Sequence, residues 1–264
     1  MTWGVDDVTV RYGDRAALDG VSVGLNPGSV HAVVGGDGAG KSTLLRVLAG
    51  LRLPGQRGRV RLPAQDRIAY VPTSGGVFRD LTVAEHLELV ASVYHLRRWH
   101  DRAHDLLART DLAGHERQLA RELSGGQQRK LAGSMALLVE PELLLLDEVT
   151  TGVDPVSRME LWRLVAASAA AGAAAVVATT YLDEAERAAH VTMLHEGRLL
   201  VAGSPADVVA SVPGDVVEVE RPTEPTRAWR RGARWRQWRP DGDGGAQATL
   251  EDAAIVHELR AGAR

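Results

Sequence analysis

Residues 35–43, Gly-Gly-Asp-Gly-Ala-Gly-Lys-Ser-Thr, satisfy the pattern G-x-x-x-x-G-K-[ST]. They stand between a β-branched run, Val30–Val34, and a segment with helical periodicity that begins at Lys41. That context suits a triphosphate. Gly35, Gly36, Gly38 and Gly40 let the backbone curl, so that N–H groups from Asp37 to Thr43, Ala39 included, point at phosphate oxygens. The helix N-terminus behind them adds partial positive charge. Lys41 supplies a full charge for the β- and γ-phosphates, and the Ser42 hydroxyl is a natural ligand for Mg²⁺. A Gly-rich turn with no ligand is the competing reading, and the strand and helix on either side weigh against it.

Two further segments could do chemistry with the first. Residues 143–146 are four leucines followed by Asp147 and Glu148. In a parallel sheet the C-terminal ends of the strands face the ligand. Asp147 is then placed to hold Mg²⁺ through water, and Glu148 to polarise an attacking water as general base. Otherwise both are solvated loop acids. Leu123, Ser124, Gly125, Gly126 and Gln127 precede a helical stretch. Ser124 can cap that helix, and the glycines permit close approach of a second phosphate.

The elements that must carry these residues alternate between strand and helix. Residues 5–10, 17–25 and Val30–Val34 read as strands, separated by turns at Gly13-Asp14 and Pro27-Gly28. A helix is expected over 41–51, then a strand at Ile68–Val71. Thr82 followed by Glu85 forms a capping box that opens a helix to Val93, with further helices near His100–Arg109 and from Ser124. Strand character returns at 143–146, Ala174–Thr179, 191–195 and 199–202. The expected fold class is α/β, a mostly parallel sheet with an antiparallel part at the N-terminus and a helical block inserted over 82–139.

Composition narrows the function classes. A net charge of −3 favours no particular partner, and the absence of cysteine removes disulfides and thiolate metal sites. Met1 to Val10 does not read as a secretory leader. Residues 164–180 run without a charge, but they are mostly alanine, with Gly172 inside. They read as the end of a helix, a turn and a buried strand, so no transmembrane path is expected from this chain alone.

In this order and spacing, the three segments resemble an ABC-type ATP-binding domain over about residues 1–212. The resemblance implies a P-loop NTPase fold: a RecA-like core, an antiparallel β subdomain and an inserted helical subdomain. It implies ATP and Mg²⁺ as cofactors, with Tyr12 stacking on adenine. It also implies a head-to-tail pair in which Leu123–Gln127 of one subunit closes over ATP held by the other, and Asp154 meets the partner. Residues 75–96, 181–186, 196–205 and 249–252 resemble the exporter ATPases of the daunorubicin-resistance type. There the ATPase is a peripheral subunit on the cytoplasmic face of the membrane, assembled with a separate permease. Alternatives are a catalytically degenerate ATP-binding subunit of a heterodimer, or a non-transport ATPase acting on nucleic acid.

The sequence departs from that family at two switch positions. Thr73 stands where relatives place a Gln that reaches Mg²⁺ and the attacking water, and Thr180 stands where they place a His for the γ-phosphate. A threonine hydroxyl is too short for either reach and carries no charge. Asp37 replaces the usual Asn, and Val149 the usual Pro. Residues 213–264 are expected to form a small α+β appendage, with a Gly-rich turn at 241–245 and a closing helix over 250–260. Its stretch 226–240 holds six Arg and three Trp without an acid. It reads as a strand burying Trp and exposing Arg, or else as a surface for anionic lipid or nucleic acid.

Overall fold

The computed structural model describes residues 2–242 and 248–262. Its centre is a six-stranded sheet of β3 (Val30–Val34), β5 (Ile68–Val71), β6 (Leu143–Asp147), β7 (Ala174–Thr179), β8 (His190–His195) and β9 (Arg198–Gly203), in the order β5-β6-β7-β3-β8-β9. All pairs are parallel except β8 with β9. Every residue of β6 and β7 is buried. Continuous apolar runs of this kind belong to strands covered on both faces. The alanine-rich segment is thereby explained as α5 (Pro155–Ala170), a turn at Gly172 and β7. No helix among the described residues is long and apolar enough to cross a membrane.

On one face, α1 (Lys41–Leu48) buries Leu44, Leu45, Val47 and Leu48 against Leu143, Leu145 and Val176 of the sheet. A smaller antiparallel sheet adjoins it: β1 (Trp3–Tyr12), β2 (Arg15–Leu25) and β4 (Arg57–Arg61), in the order β2-β1-β4. The sequence does not announce β4, because Arg-Gly-Arg-Val-Arg offers one apolar residue and sits on an exposed edge. The helix expected to reach residue 51 stops at Leu48. Gly50 takes φ +78°, its N–H reaches the carbonyl of Val47 (3.0 Å), and the Leu51 N–H reaches that of Arg46 (3.1 Å). That pattern is a Schellman stop.

On the other face, α2 (Val83–Val93), α3 (His100–Arg109) and α4 (Gly125–Leu138) share a core of Val83, Leu87, Leu106, Leu107, Leu131 and Leu138. The capping box at Thr82 forms as expected: Glu85 N–H donates to Thr82 Oγ1 (3.2 Å) and Thr82 N–H to Glu85 Oε2 (2.7 Å). A short helix α6 (Leu182–Ala185) follows β7, and α7 (Pro205–Ala210) follows β9.

The C-terminal strands β10 (Asp215–Val219), β11 (Ala228–Arg231) and β12 (Arg234–Arg239) form a third sheet, in the order β10-β12-β11, beside α8 (Leu250–Gly262). Trp238 packs on Val216 and Val256, as expected of a buried Trp face. The arginines do not all face solvent, however. Arg236 is buried and pairs with the fully buried Asp252 (Nη2–Oδ2 2.6 Å). Burial pushes the Asp252 carboxyl up, but hydrogen bonds from Arg236 and Thr249 outweigh it and hold the group below the usual carboxylate range. Arg239 pairs with Asp215, Arg227 with Glu224 and Arg234 with Glu218. Four of the six arginines in the basic run are therefore paired with acids of the C-terminal region itself. Residues 243–247, which include most of the expected Gly-rich turn, lie outside the described residues.

His31 is buried on β3, stacked on His190 with ring centroids 5.0 Å apart. Burial, then the neighbouring His190, lower its pKa from 6.5 to about 4. The fold therefore favours the neutral ring. An unfolded chain takes up this proton near pH 6.5, while the folded one resists until about pH 4. Stability from this group is intact above pH 6.5 and falls by roughly 3 kcal/mol as pH drops through that window. In urea titrations at a series of pH values, the stability difference between the chain and a His31→Asn variant should shrink on acidification. A difference independent of pH would contradict the assignment.

Candidate functional site

The ends of β3, β6 and β7 lie level. Val34 pairs with Thr179, and Asp147 with Ala178. Residues 35–43 and the Asp147-Glu148 pair consequently leave the sheet from one edge. Gly35 takes φ +155° and Gly40 φ +107°; a Cβ on Gly40 would lie 2.7 Å from the Ala17 carbonyl oxygen and 3.0 Å from Leu18 Cδ2. Gly40 is the N-cap of α1 and offers no side chain, so the first N–H groups of that helix are left for something else.

Lys41 is only 4% exposed. Its ammonium donates to the carbonyls of Gly35 (2.8 Å) and Gly36 (3.1 Å) and pairs with Glu148 Oε1 (3.2 Å). These three contacts match its three N–H groups and offset the cost of burying a charge. Ser42 Oγ donates to Asp147 Oδ1 (3.0 Å), and Tyr70 OH to Asp147 Oδ2 (3.2 Å). Asp147 is 1% exposed. Burial and the nearby Asp147 carboxylate raise the Tyr70 pKa, and the hydrogen bonds that Arg46 donates to the Tyr70 and Tyr12 oxygens raise that of Arg46. Asp147, Tyr70, Arg46 and Tyr12 thus form one polar chain from the strand edge to the rim. Glu148 adopts φ +53°, with its N–H on the Ala178 carbonyl (3.0 Å). A non-glycine residue held left-handed costs about 1–2 kcal/mol. Here the cost goes into aiming a carboxylate at Lys41.

Residues 37–43 line a cleft of about 440 Å³ together with Tyr12, Arg15, Ala17, Thr73 and Glu148. Arg15 was not singled out by the sequence, since it belongs to no motif; only its place opposite Tyr12 across a two-residue turn points to it. Thr73 reaches the cleft, and its carbonyl accepts from Arg129 Nη1 (2.7 Å). Thr180 follows β7 at the same edge but does not line the cleft. A hydroxyl and a carboxylate already paired, Ser42 with Asp147, are the hard oxygen donors that suit Mg²⁺. Among the described residues no group of three or more His, Asp or Glu could hold an ion alone. The pair fits a metal that completes its shell with phosphate and water.

The remaining candidates lie together away from the cleft. Ser124 caps α4: Gln127 N–H donates to Ser124 Oγ (3.2 Å), and Ser124 N–H to Gln127 Oε1 (2.9 Å). Leu123 is buried beneath it. A Cβ on Gly125 would meet nothing within 4 Å, whereas one on Gly126 would lie 3.4 Å from Asp154 Oδ2. Asp154 caps α5, accepting from the N–H groups of Val156 (3.1 Å) and Ser157 (3.0 Å). Behind it, the fully buried Glu184 accepts from Thr150 Oγ1 (2.9 Å) and faces Arg158 Nε at 3.6 Å, tying the Asp154 loop to the segment after Thr180.

A family model described as ABC transporter matches residues 18–151, a span that contains the glycine loop, residues 123–127 and Glu148. The daunorubicin resistance ATP-binding protein DrrA3 of Streptomyces coeruleorubidus is 37% identical over 228 residues, covering 81% of this chain and 72% of that protein. The Nod factor export ATP-binding protein I of Paraburkholderia xenovorans (strain LB400) is 33% identical over 231 residues, covering 82% and 76%. Among solved structures, an ATP-binding subunit of an ABC transporter superposes with a TM-score of 0.74 at 28% identity, over 80% of this chain and 92% of that one. A dimeric bacterial ABC transporter cassette shares the fold with a TM-score of 0.69 at 23% identity.

The geometry at Gly40 makes a specific demand. Gly40→Ala combines a left-handed φ with a carbonyl too close for a methyl group, and should cost about 1–3 kcal/mol. A domain of this size should then melt several degrees lower by calorimetry. An unchanged melting temperature would show that the loop is freer than described.

Proposed function

The chain belongs to the ABC transporter family, and from there we propose that it is the ATP-hydrolysing motor subunit of an exporter, driving a separate membrane permease by ATP-dependent pairing of two such subunits. One observation carries the reading: Lys41, Ser42, Asp147 and Glu148 converge at one strand edge on a cleft lined by backbone of the glycine loop. ATP would place its phosphates on residues 35–43 and its base beside Tyr12. Magnesium, when bound, would supply charge neutralisation to the phosphates, and Ser42 and Asp147 would hold it.

This chain's residues then do the following. Lys41 has no N–H to spare, so a phosphate oxygen must displace one of its three partners, and Glu148, the one side chain among them, is the partner free to swing away. The freed Glu148 carboxylate can accept a proton from an attacking water. Ser124 to Gln127, with Gly125 open, present a helix N-terminus to phosphate held by a second subunit, and the adjacent Asp154 loop lies at the same contact. ATP that binds only the paired state shifts the equilibrium toward it. We assign residues 1–212 to the motor and 213–264 to an appendage with a regulatory role. The subunit would work at the cytoplasmic face of the membrane. Arginines paired with acids of the appendage favour this over a non-transport ATPase acting on nucleic acid.

Thr73 and Thr180 make this chain's own site slow. Losing one positioned polar group at the transferring phosphate commonly costs on the order of 3 kcal/mol, about a hundredfold in rate. The subunit can then serve as the ATP-retaining half of a heterodimer whose faster site its own residues 123–127 complete. A homodimer relying on Lys41 and Glu148 is the other arrangement. The purified chain should hydrolyse ATP slowly, lose that activity in Glu148→Gln, and gain at least about a hundredfold in Thr73→Gln/Thr180→His. Ordinary turnover by the unaltered chain, with no gain in the double variant, would rule out the slow site.

A further inference from the structure

Arg15 opens β2 directly opposite Tyr12, the last residue of β1. The turn between them is Gly13-Asp14, with Gly13 at φ +60°, and Arg11 Nη2 ties it down through the Asp14 carbonyl (2.8 Å). Opposed residues of an antiparallel pair project to the same face. The hairpin tip therefore delivers an aromatic ring and a guanidinium side by side, and both line the cleft. Arg15 Nη2 lies 3.0 Å from the position that a Cβ on Gly38 would take, so the guanidinium rests against the middle of the glycine loop.

The charges around the cleft show why that position matters. Its lining includes two cations, Lys41 and Arg15, and two anions, Asp37 and Glu148. Lys41 is engaged by Glu148 and two carbonyls. Among the described residues no ion pair or hydrogen bond engages the Arg15 guanidinium. Asp37 adds negative charge to the loop that a polyanion must approach. A cation beside Gly38 offsets it.

Resting on the reading that this cleft takes ATP, we infer that Arg15 is a nucleotide-contacting residue whose guanidinium clasps the polyphosphate over Gly38 while Tyr12 takes the base. The planar fork of an arginine suits two phosphate oxygens at once, which a lysine cannot reproduce. The division of labour is specific: removal of Arg15 should weaken binding of the phosphates and not of the nucleoside.

Calorimetric titration of the full chain, Arg15→Gln and Arg15→Lys with MgATP and with adenosine tests it. Arg15→Gln should lose about ten- to a hundredfold in MgATP affinity. Its adenosine affinity should stay unchanged and its salt dependence should be shallower; Arg15→Lys should fall between. Because no ion pair or hydrogen bond engages the guanidinium among the described residues, both variants should melt with the unaltered chain. MgATP affinity within twofold of the unaltered chain would overturn the inference, as would an equal loss for adenosine. An unaltered chain that binds no MgATP is a separate failure, visible in the first titration, and would take down the ATP reading beneath it.

Discussion

A buried ammonium must be paid for in partners, and Lys41 finds them in two parts of the chain that are distant in sequence. Two carbonyls come from the loop before α1 and a carboxylate from the turn after β6. Loop and turn meet only because β3, β7 and β6 are adjacent and end level. The left-handed backbone of Glu148 and the tight glycines at 35 and 40 follow from the same requirement, since each lets backbone or side chain come closer than an ordinary residue could. One charge therefore organises the edge of the sheet.

The packing behind that edge is unusually plain. β7 is built from Ala174, Ala175, Val176, Val177, Ala178 and Thr179, all buried. Small side chains let α1 approach from one side and α5 from the other. Burial without bulk is the physical reason that a charge-free alanine run can look like a membrane segment by composition and still be the middle of a packed sheet core. Asp147 sits at the end of this dry region and is satisfied by Ser42 and Tyr70 together. Tyr70 in turn accepts from Arg46, so the carboxylate is held by Ser42 on one oxygen and by the Tyr70–Arg46 pair on the other.

What was legible in the sequence was what is local. The glycine loop, the capping box at Thr82, the helix cap at Ser124, and the leucine strand leading to Asp147 each carry their signal within a few residues. A mostly parallel α/β sheet with an inserted helical block followed from the element pattern, and the ABC-type fold from the family resemblance that these segments carry together. Features that depend on pairing across the chain were not legible. β4 has almost no apolar pattern because it lies on an edge, and the stop of α1 at Leu48 depends on a carbonyl pattern that Gly50 only hints at. Arg236 looks like a surface arginine until Asp252 arrives from α8. Arg15 has no motif at all, and becomes visible only when the hairpin sets it beside Gly38. Residues 123–127 were legible as a helix cap, but their proposed partner is a second subunit.

If Glu148 and nucleotide phosphate compete for one ammonium, removing the carboxylate's charge should make room for the phosphate. The direct measurement is the affinity of the folded chain for a magnesium-bound, non-hydrolysable ATP analogue, compared between Glu148 and Glu148→Gln. The account predicts measurable binding that tightens several-fold in the variant and disappears when Lys41→Ala is added. Weaker binding in Glu148→Gln, or affinity that survives the loss of Lys41, would contradict it.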